Sequence, residues 1–450
     1  MASAAEQLAA NLNFGALAKA TELRKRIWFT LGALIIYRIG TYVPIPGIDP
    51  RVLSEIFSQQ GGGLLGILNM FSGGSLGRMT IFALNIMPYI SASIIIQLLT
   101  AVSPSLEALK KEGEAGRKKI NQYTRYFTVV LAVAQAYALA VGLEGIRGSV
   151  GPAVVDPGWY FRFTTVVTIV GGTMFLMWLG EQITSRGVGN GISLIIFAGI
   201  VASLPHGLVQ ILELGRTGAL SPFLILVLLV LAVAVIFFIV YMERAQRRLL
   251  VQYPKRQVGN RMFGGESSHL PLKLNTSGVI PPIFASSLLL LPATLIGFAG
   301  NQVGDTGGWV SWIAGQLSHG RPLFMALYAA LIIFFCFFYT AIVFNPEETA
   351  DNLKKYGGFI PGIRPGKATA DYIDFVLTRI TVIGAAYLTV VCLLPEFLMS
   401  SYSVPFYFGG TSLLIVVTVT MDTVAQVHSH LLAHQYEGLI KKSKLRGSRR

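Results

Sequence analysis

Charged residues and cysteines are scarce in this chain. Asp, Glu, Lys and Arg make up 13% of the 450 residues, whereas hydrophobic residues make up 53%. A soluble protein of this length needs more charge to cover its surface. The two cysteines, Cys336 and Cys392, lie inside apolar runs, so we expect neither a disulfide framework nor a metal cluster. The apolar side chains must therefore face something other than water.

The sequence also lacks the common catalytic motifs. It contains no HExxH, GxSxG or P-loop pattern. Gly187, Gly189 and Gly191 are spaced as in a phosphate-binding loop, but no nucleotide-fold strand precedes them, so we interpret them as a hinge before a helix. The histidines at 428, 430 and 434 are attributed to a basic helix end rather than to a metal site. We predict no catalytic site, no metal and no cofactor.

Long apolar runs are what the chain has instead. A helix needs about 20 apolar residues to cross a bilayer. No cleavable signal peptide is expected, because residues 1–26 are polar or amphipathic. A shorter Gly-rich stretch, residues 64–76, is interpreted as re-entrant. The predicted fold is an all-α integral membrane protein with ten transmembrane helices, at residues 27–43, 80–101, 122–143, 160–180, 190–212, 220–242, 276–300, 322–344, 373–395 and 404–425.

The distribution of positive charge predicts the orientation. Most of the 36 Lys and Arg fall in the N-terminal tail, in alternate loops and in the C-terminal tail. Cytoplasmic segments carry such an excess, so both termini are expected in the cytoplasm. The segments expected outside contain few basic residues, which are Arg51, Arg78, Arg147, Arg162, Arg216 and Arg321.

Ten helices allow two five-helix halves of opposite orientation, a pattern typical of channels and of small-solute transporters. A coupled transporter usually needs buried carboxylates, and ionisable residues within the runs are few: Arg38, Glu181, Arg379 and Asp422. A membrane-embedded enzyme would need a polar cluster at mid-membrane. The sequence offers poor candidates for either, and a passive channel, a small-solute transporter and a membrane-embedded enzyme stand as alternatives at this point.

Isoleucines recur at one-turn spacing in two predicted helices, at Ile86 and Ile90 and at Ile192 and Ile196. Such spacing is also typical of helix packing or lipid contact.

Two basic loops rich in Gly, Pro and aromatic residues, near 243–275 and 346–372, suit an acidic macromolecular partner such as ribosomal RNA.

Long motifs in this sequence resemble the SecY family of protein-conducting channels. They include VPIPGI at 43–48, MWLGEQITSRGVGNGISLIIFAGI at 177–200, GVIPPIFASS at 278–287 and GFIPGIRPG at 358–366. The resemblance covers nearly the whole chain. It implies an hourglass pore between two inverted halves, at 27–212 and 213–425, with a cytoplasmic segment at 1–26, a plug at about 64–78 and a basic tail at 426–450.

The same resemblance implies roles for individual residues. The pore ring is expected at Ile86, Ile90, Ile192, Ile196, Ile283 and Ile415. The plug is expected to include Leu68, Phe71, Ser72, Gly73 and Gly74. Polar residues of the lateral gate are expected at Ser91, Gln97, Asn190, Asn275, Thr276 and Ser287. Docking of the motor or the ribosome is expected at Lys255, Arg256, Arg261 and Arg364.

The resemblance also implies the setting in which the chain works. The expected location is the bacterial cytoplasmic membrane. The expected partners are the small subunits SecE and SecG, the SecA ATPase, the ribosome, signal peptides and unfolded precursor proteins, with SecDF and YidC as further candidates. Thr276 and Ser277 depart from the small apolar residues common in the family, and we expect them to alter gate closure.

Overall fold

The fold of the chain is given by a computed structural model. It describes residues 20–49, 52–53, 69, 72–145, 151–218, 221–253, 256–258, 261–263, 267–299, 316, 321–402 and 410–447. The predicted plug residues Leu68 and Phe71 and the predicted docking residue Lys255 lie outside these ranges.

Long helices dominate the described residues. In chain order they are α1 (Thr21–Gly40), α2 (Met87–Val102), α3 (Pro104–Lys111), α4 (Glu114–Glu144), α5 (Trp159–Arg186), α6 (Gly191–Arg216), α7 (Pro222–Arg244), α8 (Ile280–Ala299), α9 (Pro322–Val343), α10 (Pro346–Lys355), α11 (Lys367–Tyr402) and α12 (Gly410–Gly447).

Seven of the helices in the described ranges are long and apolar enough to cross a bilayer, and an eighth span is reached if α2 and α3, bent by 97° at their junction, count as one. Their exposed surfaces carry large apolar side chains. In α7, only 11% of the 18-residue apolar stretch that would cross the bilayer is buried. This is the composition expected of helices whose outer faces meet lipid.

The second predicted span begins later than the sequence indicated. Residues 80–86 continue the apolar run, but they form turns, and α2 begins only at Met87 with Pro88 in its first turn. Asn85, just before it, has a positive φ of 50°, which breaks helical continuity. Hydropathy does not detect such a break, because the turn residues are as apolar as the helix.

The described residues fall into two compact units, one drawn from 1–206, 294–307 and 419–450, the other from 207–293 and 308–418. The core of the first includes Ile45, Met79, Leu139 and Ile169. The core of the second joins Leu249, Val251 and Leu272 to Ile373 of α11. Each unit therefore buries apolar side chains of its own.

The segment between α7 and α8 contains the strands that an all-α prediction omits. Strand β1 (Gln246–Gln252) pairs antiparallel with β4 (Ser267–Lys273), and β2 (Arg256–Val258) pairs with β3 (Arg261–Phe263). Leu249 and Val251 alternate with exposed residues along β1 and pack into the core of the second unit. This period of two is typical of a strand with one buried face.

Candidate functional site

The Gly-rich segment from Ser72 to Thr80, in the first unit, is a series of hydrogen-bonded turns. Asn69, which precedes the segment, accepts two hydrogen bonds from it. The Asn69 carbonyl accepts from the amide of Gly74 at 2.7 Å, and Asn69 Oδ1 accepts from the amide of Gly77 at 2.7 Å. The Ser72 hydroxyl accepts from the Leu76 amide at 3.2 Å. The segment thus satisfies buried backbone groups without forming a helix, as re-entrant backbone must.

Two arginines hold the predicted plug residue Gly73 by its carbonyl oxygen. Arg38 Nη1 donates to Gly73 O at 3.2 Å, and Arg78 Nη2 donates to the same oxygen at 3.1 Å. Arg78 Nε also donates to Gly74 O at 3.2 Å. Hydrogen bonds with a charged donor are stronger than neutral ones, so Arg38 holds the segment from α1 and Arg78, a residue of the segment, stabilises its turn. We call Arg38 and Arg78 the arginine clamp.

Tyr42 lies against both guanidinium groups of the clamp. Its ring centroid is 4.1 Å from the guanidinium carbon of Arg78 and 5.6 Å from that of Arg38. Arg38 Nη2 also donates to the Tyr42 hydroxyl at 3.5 Å. Cation–π attraction to this ring orients both arginines toward Gly73.

Gly73 also requires its lack of a side chain. It has a φ of 65°, and a Cβ there would lie 3.0 Å from the Cα of Gly199 in α6 and 2.9 Å from Arg38 Nη1. Tyr37 of α1 adds a hydrogen bond from its hydroxyl to Ser72 O at 3.4 Å. The segment therefore packs backbone to backbone against α6.

The four predicted ring isoleucines of the first unit are buried or half-buried. Ile86 is the residue immediately before α2, and its carbonyl accepts from the amide of Ile90 at 3.1 Å, so the two are stacked one turn apart. Both are buried, as is Ile196, while Ile192 is half-buried in the first turn of α6. In the second unit, Ile415 of α12 is buried and Ile283 of α8 is half-buried.

The predicted gate residues of the first unit differ in their surroundings. Ser91 is buried in α2, where the Gln97 amide nitrogen also donates to Ser93 Oγ at 3.2 Å. Gln97 Oε1 is buried and has no hydrogen-bond partner within the described ranges. Asn190 is exposed, and its Oδ1 accepts from the Ile192 amide at 3.1 Å, which caps α6.

In the second unit, Asn275 joins the end of α7 to the approach of α8. Its amide nitrogen donates to Glu243 Oε1 and to Gly278 O, the latter at 3.1 Å. Ser277 donates to Asn275 Oδ1 at 3.0 Å and approaches the sulfur of Cys336 in α9 at 3.7 Å. We call Glu243, Asn275 and Ser277 the polar junction.

The remaining predicted gate residues make fewer contacts. Thr276 Oγ1 donates to the nearby Lys273 carbonyl at 3.1 Å. Ser287 is buried, and its hydroxyl has no partner in the described part of the chain. The sequence suggested Asn275 as a gate residue but contained no signal for Glu243. Charged residues are common at the ends of membrane helices, so a carboxylate in that position does not indicate a function.

The two basic loops join into one folded platform in the second unit. The backbone groups of Gln252 and Phe359 exchange hydrogen bonds of 2.9 and 3.0 Å, which bridges β1 to the loop before α11. Ile360 packs with Leu249 and Val251 beneath this bridge. Arg364 is exposed on the platform, and its own backbone carbonyl accepts from Thr369 Oγ1 at 2.8 Å. Of Arg256 and Arg261, the structure describes the backbone, in β2 and β3.

The glycine loop between α5 and α6 is occupied by groups of the protein itself. The amides of Val188, Gly189 and Gly191 donate to Thr30 Oγ1 at 3.0 Å, Gln426 Oε1 at 2.9 Å and Thr184 Oγ1 at 2.9 Å. Amides already bonded in this way are unavailable to a phosphate. The loop connects two helices, in agreement with the interpretation as a hinge.

Apart from Arg38, the ionisable residues within the apolar runs either contact neighbouring side chains, as Glu181 and Arg379 do, or are exposed, as Asp422 is. Glu181 accepts a bidentate ion pair from Arg125 of α4, with the closest atoms at 2.7 Å. Asp422 is exposed, and the Arg379 guanidinium stacks 4.2 Å from the centroid of the Phe375 ring. Glu181 links α4 to α5, as a structural residue would.

Comparison with known proteins decides the family. The SecY family model matches residues 80–424. The protein translocase subunit SecY of Vibrio cholerae is 58% identical over 428 residues, which cover 95% of this chain and 96% of the relative. That of Rickettsia conorii is 57% identical over 425 residues, with 94% and 97% covered. The chain belongs to the SecY family. The predicted resemblance is confirmed, and protein translocation is the function of this SecY-family chain.

Solved structures agree on the fold. A structure described as that of a protein-conducting channel superposes with a TM-score of 0.65 at 18% identity, over 91% of this chain and 92% of that one. Sec61 from a canine ribosome–channel complex superposes with a TM-score of 0.61 at 17% identity, over 91% and 92%. The SecY-family chain is thus a multi-span helical membrane protein with the fold of these channels.

Proposed function

We propose that this chain is the passive, protein-conducting pore of a Sec translocase, without a catalytic site of its own. Its ten predicted spans form two inverted halves around an hourglass pore. The waist of the pore is a ring of six aliphatic side chains, at Ile86, Ile90, Ile192, Ile196, Ile283 and Ile415. Ions would shed water at such a ring, whereas an extended polypeptide would find no charge to hold it.

The observation that carries this proposal is the clamped re-entrant segment. A Gly-rich backbone that packs against α6 and is held to α1 by Arg38 through the Gly73 carbonyl oxygen can close the pore. The contacts from α1 to this backbone are hydrogen bonds from Arg38 and Tyr37, which a passing chain can displace. We assign residues 64–78, including Leu68, Phe71, Ser72, Gly73 and Gly74, as the plug.

The lateral gate is proposed to lie along the second, third, seventh and eighth spans. Ser91, Gln97, Asn190, Asn275, Thr276 and Ser287 are its polar residues. The buried polar atoms of Gln97 and Ser287 support this role, because unpaired groups at that depth favour opening toward water or peptide. A nascent segment of about 20 apolar residues would leave through the gate into lipid.

The folded platform is proposed as the docking surface for a driving partner. Lys255, Arg256, Arg261 and Arg364 would contact SecA or the ribosome, and the exposure of Arg364 supports this. The canine Sec61 structure belongs to a ribosome–channel complex, which supports ribosome docking here. SecE and SecG are the proposed permanent partners, and SecDF and YidC are further ones. The proposed location is the bacterial cytoplasmic membrane, with both termini in the cytoplasm.

Reconstitution tests the proposal. Vesicles would contain SecE and SecG with or without this chain, and SecA, ATP and a labelled precursor would be added outside. The expected result is protease-protected precursor only in vesicles that contain the chain. Equal protection in its absence would overturn the proposal. A precursor lacking its signal sequence is the matched control, which the closed channel should reject.

A further inference from the structure

An open groove in the second unit lies where β1 leaves the end of α7 and passes α11. Its volume is about 810 Å³. It combines guanidinium groups from two elements with an apolar wall from α11. The residues that matter for its chemistry are Gln246, Arg247, Arg248, Phe375, Arg379 and Ile383.

The cations of this groove lack acidic partners. Among the described residues, none of Arg247, Arg248 and Arg379 forms an ion pair with a carboxylate. The acidic residues of this stretch of α11, Asp371 and Asp374, do not line the groove. Three unneutralised guanidinium groups around one concave surface attract an anion with several oxygen acceptors.

Two of the guanidinium groups are already oriented by neighbours. Arg379 stacks over the ring of Phe375, with 4.2 Å from the guanidinium carbon to the ring centroid. Arg248 lies beside Gln246, whose side-chain amide oxygen accepts from Arg248 Nη2 at 3.1 Å and Nε at 3.3 Å. Pre-oriented donors lose less conformational entropy when a ligand binds.

The groove lies at the depth of a membrane surface. The 23 residues of α7 span about 34 Å, close to the roughly 30 Å of a hydrocarbon core, so Arg244 marks one boundary and Gln246 lies just beyond it. On the same side, the apolar side chains of Phe375 and Ile383 are 53% and 52% exposed. An anionic phospholipid is complementary to this combination, because its phosphate can bind the arginines while its acyl carbons cover the apolar surface.

We propose that this groove binds the phosphate of an anionic phospholipid headgroup, with Phe375 and Ile383 against its glycerol and upper acyl carbons. Basic pockets beside transmembrane helices are suited to such headgroups. A free phosphate ion would use the same guanidinium groups but would leave the apolar wall uncovered. Nucleic acid would leave it uncovered too, because its phosphates stand on a polar sugar backbone.

Photolabelling tests this site in the intact complex. The complex would be placed in phosphatidylcholine vesicles containing a photoactivatable phosphatidylglycerol, and labelled peptides would be mapped by mass spectrometry. The expected result is labelling of residues 375–383, reduced about tenfold in the double variant Arg248→Gln, Arg379→Gln. The matched control is Arg244→Gln, which removes a charge at the same depth but outside the groove and should label like wild type.

Further arms identify the source of the phosphate and separate binding from folding. The Lys double variant, Arg248→Lys with Arg379→Lys, should recover labelling, since it restores charge. Equal labelling by a photoactivatable phosphatidylcholine, or an unchanged yield in the Gln double variant, would overturn the proposal. Displacement by millimolar inorganic phosphate would replace the lipid with a free anion, and displacement by a short RNA would replace it with nucleic acid.

Discussion

Arg38 and Gly73, 35 positions apart in the chain, are joined by a hydrogen bond of 3.2 Å from Arg38 Nη1 to the Gly73 carbonyl. The contact connects α1 to the segment proposed as the plug. Arg78 belongs to the segment itself and donates to the same oxygen, so Arg38 attaches the segment to α1 while Arg78 stabilises its internal turn. Release of the plug therefore requires the Arg38 bond to break, whereas the Arg78 bond can stay intact.

Removing the arginine clamp should open the channel. Each hydrogen bond from a charged donor contributes about 1.5–3 kcal/mol, so the double variant Arg38→Ala, Arg78→Ala should shift the closed–open balance by at least tenfold. The measurement is ion conductance in planar bilayers, together with export of a signal-defective precursor. Arg216→Ala, an exposed arginine that does not contact the segment, is the control. Wild-type conductance in the double variant would refute a clamp.

Gly73→Ala should destabilise the same segment for a different reason. The new Cβ would occupy a left-handed conformation and press on the backbone of Gly199, which we expect to cost about 1–3 kcal/mol. Thermal unfolding in detergent and bilayer conductance would both report it. Gly32→Ala is matched, because a Cβ at Gly32 in α1 meets nothing within 4 Å, and it should be neutral or slightly stabilising. Similar effects of the two substitutions would contradict the close packing of Gly73.

Substitution of a ring isoleucine should loosen the closed state. Ile86→Asn and Ile415→Asn place an amide where the seal requires an apolar side chain, so ion leak and export of signal-defective precursors should both rise. Ile169→Asn is the control, because Ile169 is equally buried in the core of the first unit but belongs to no proposed ring. It should lower the melting temperature without a selective leak. A leak of the same size from Ile169→Asn would remove the distinction on which the ring depends.

The polar junction should control both stability and gating. Asn275→Ala removes the hydrogen bonds to Glu243 and Gly278 in a buried setting, and we expect a loss of about 1–3 kcal/mol in the free energy of unfolding. Thr276→Ala should change the melting temperature little, since the hydrogen bond from that hydroxyl to the nearby Lys273 carbonyl is exposed. Melting curves of both variants, with signal-defective export as the second readout, check this. An unchanged melting temperature in Asn275→Ala would count against the junction.

Charge reversal at Arg364 on the platform should reduce motor-driven export without affecting folding. Arg364→Glu should reduce motor-driven export several-fold, because an acidic side chain would repel the partner's acidic surface. Its melting temperature should equal that of wild type, since Arg364 is exposed. Lys110→Glu, an exposed basic residue of α3 in the first unit, is the control for total charge. Equal export by wild type and Arg364→Glu would exclude this arginine from docking.

Several features could be predicted from the sequence because they depend on composition along the chain. Bilayer-length apolar runs led to helices near most predicted positions, and long motifs led to the SecY family. Hydropathy failed at residues 80–86, where turns are as apolar as the helix that follows. It also carried no sign of the strands in the basic loop, because the apolar residues of β1, Leu249, Leu250 and Val251, are consecutive in the sequence and alternate only in their burial.

The sequence by itself determined the class of protein, the approximate spans and the family, since each follows from local composition or from long identical motifs. Only the tertiary structure decided which groups meet. Arg38 and Gly73, Asn275 and Glu243, and Gln252 and Phe359 are brought together by folding over long separations. The physical reason is that a hydrogen bond depends on distance and direction in space, and these are not encoded in the spacing of residues along the chain.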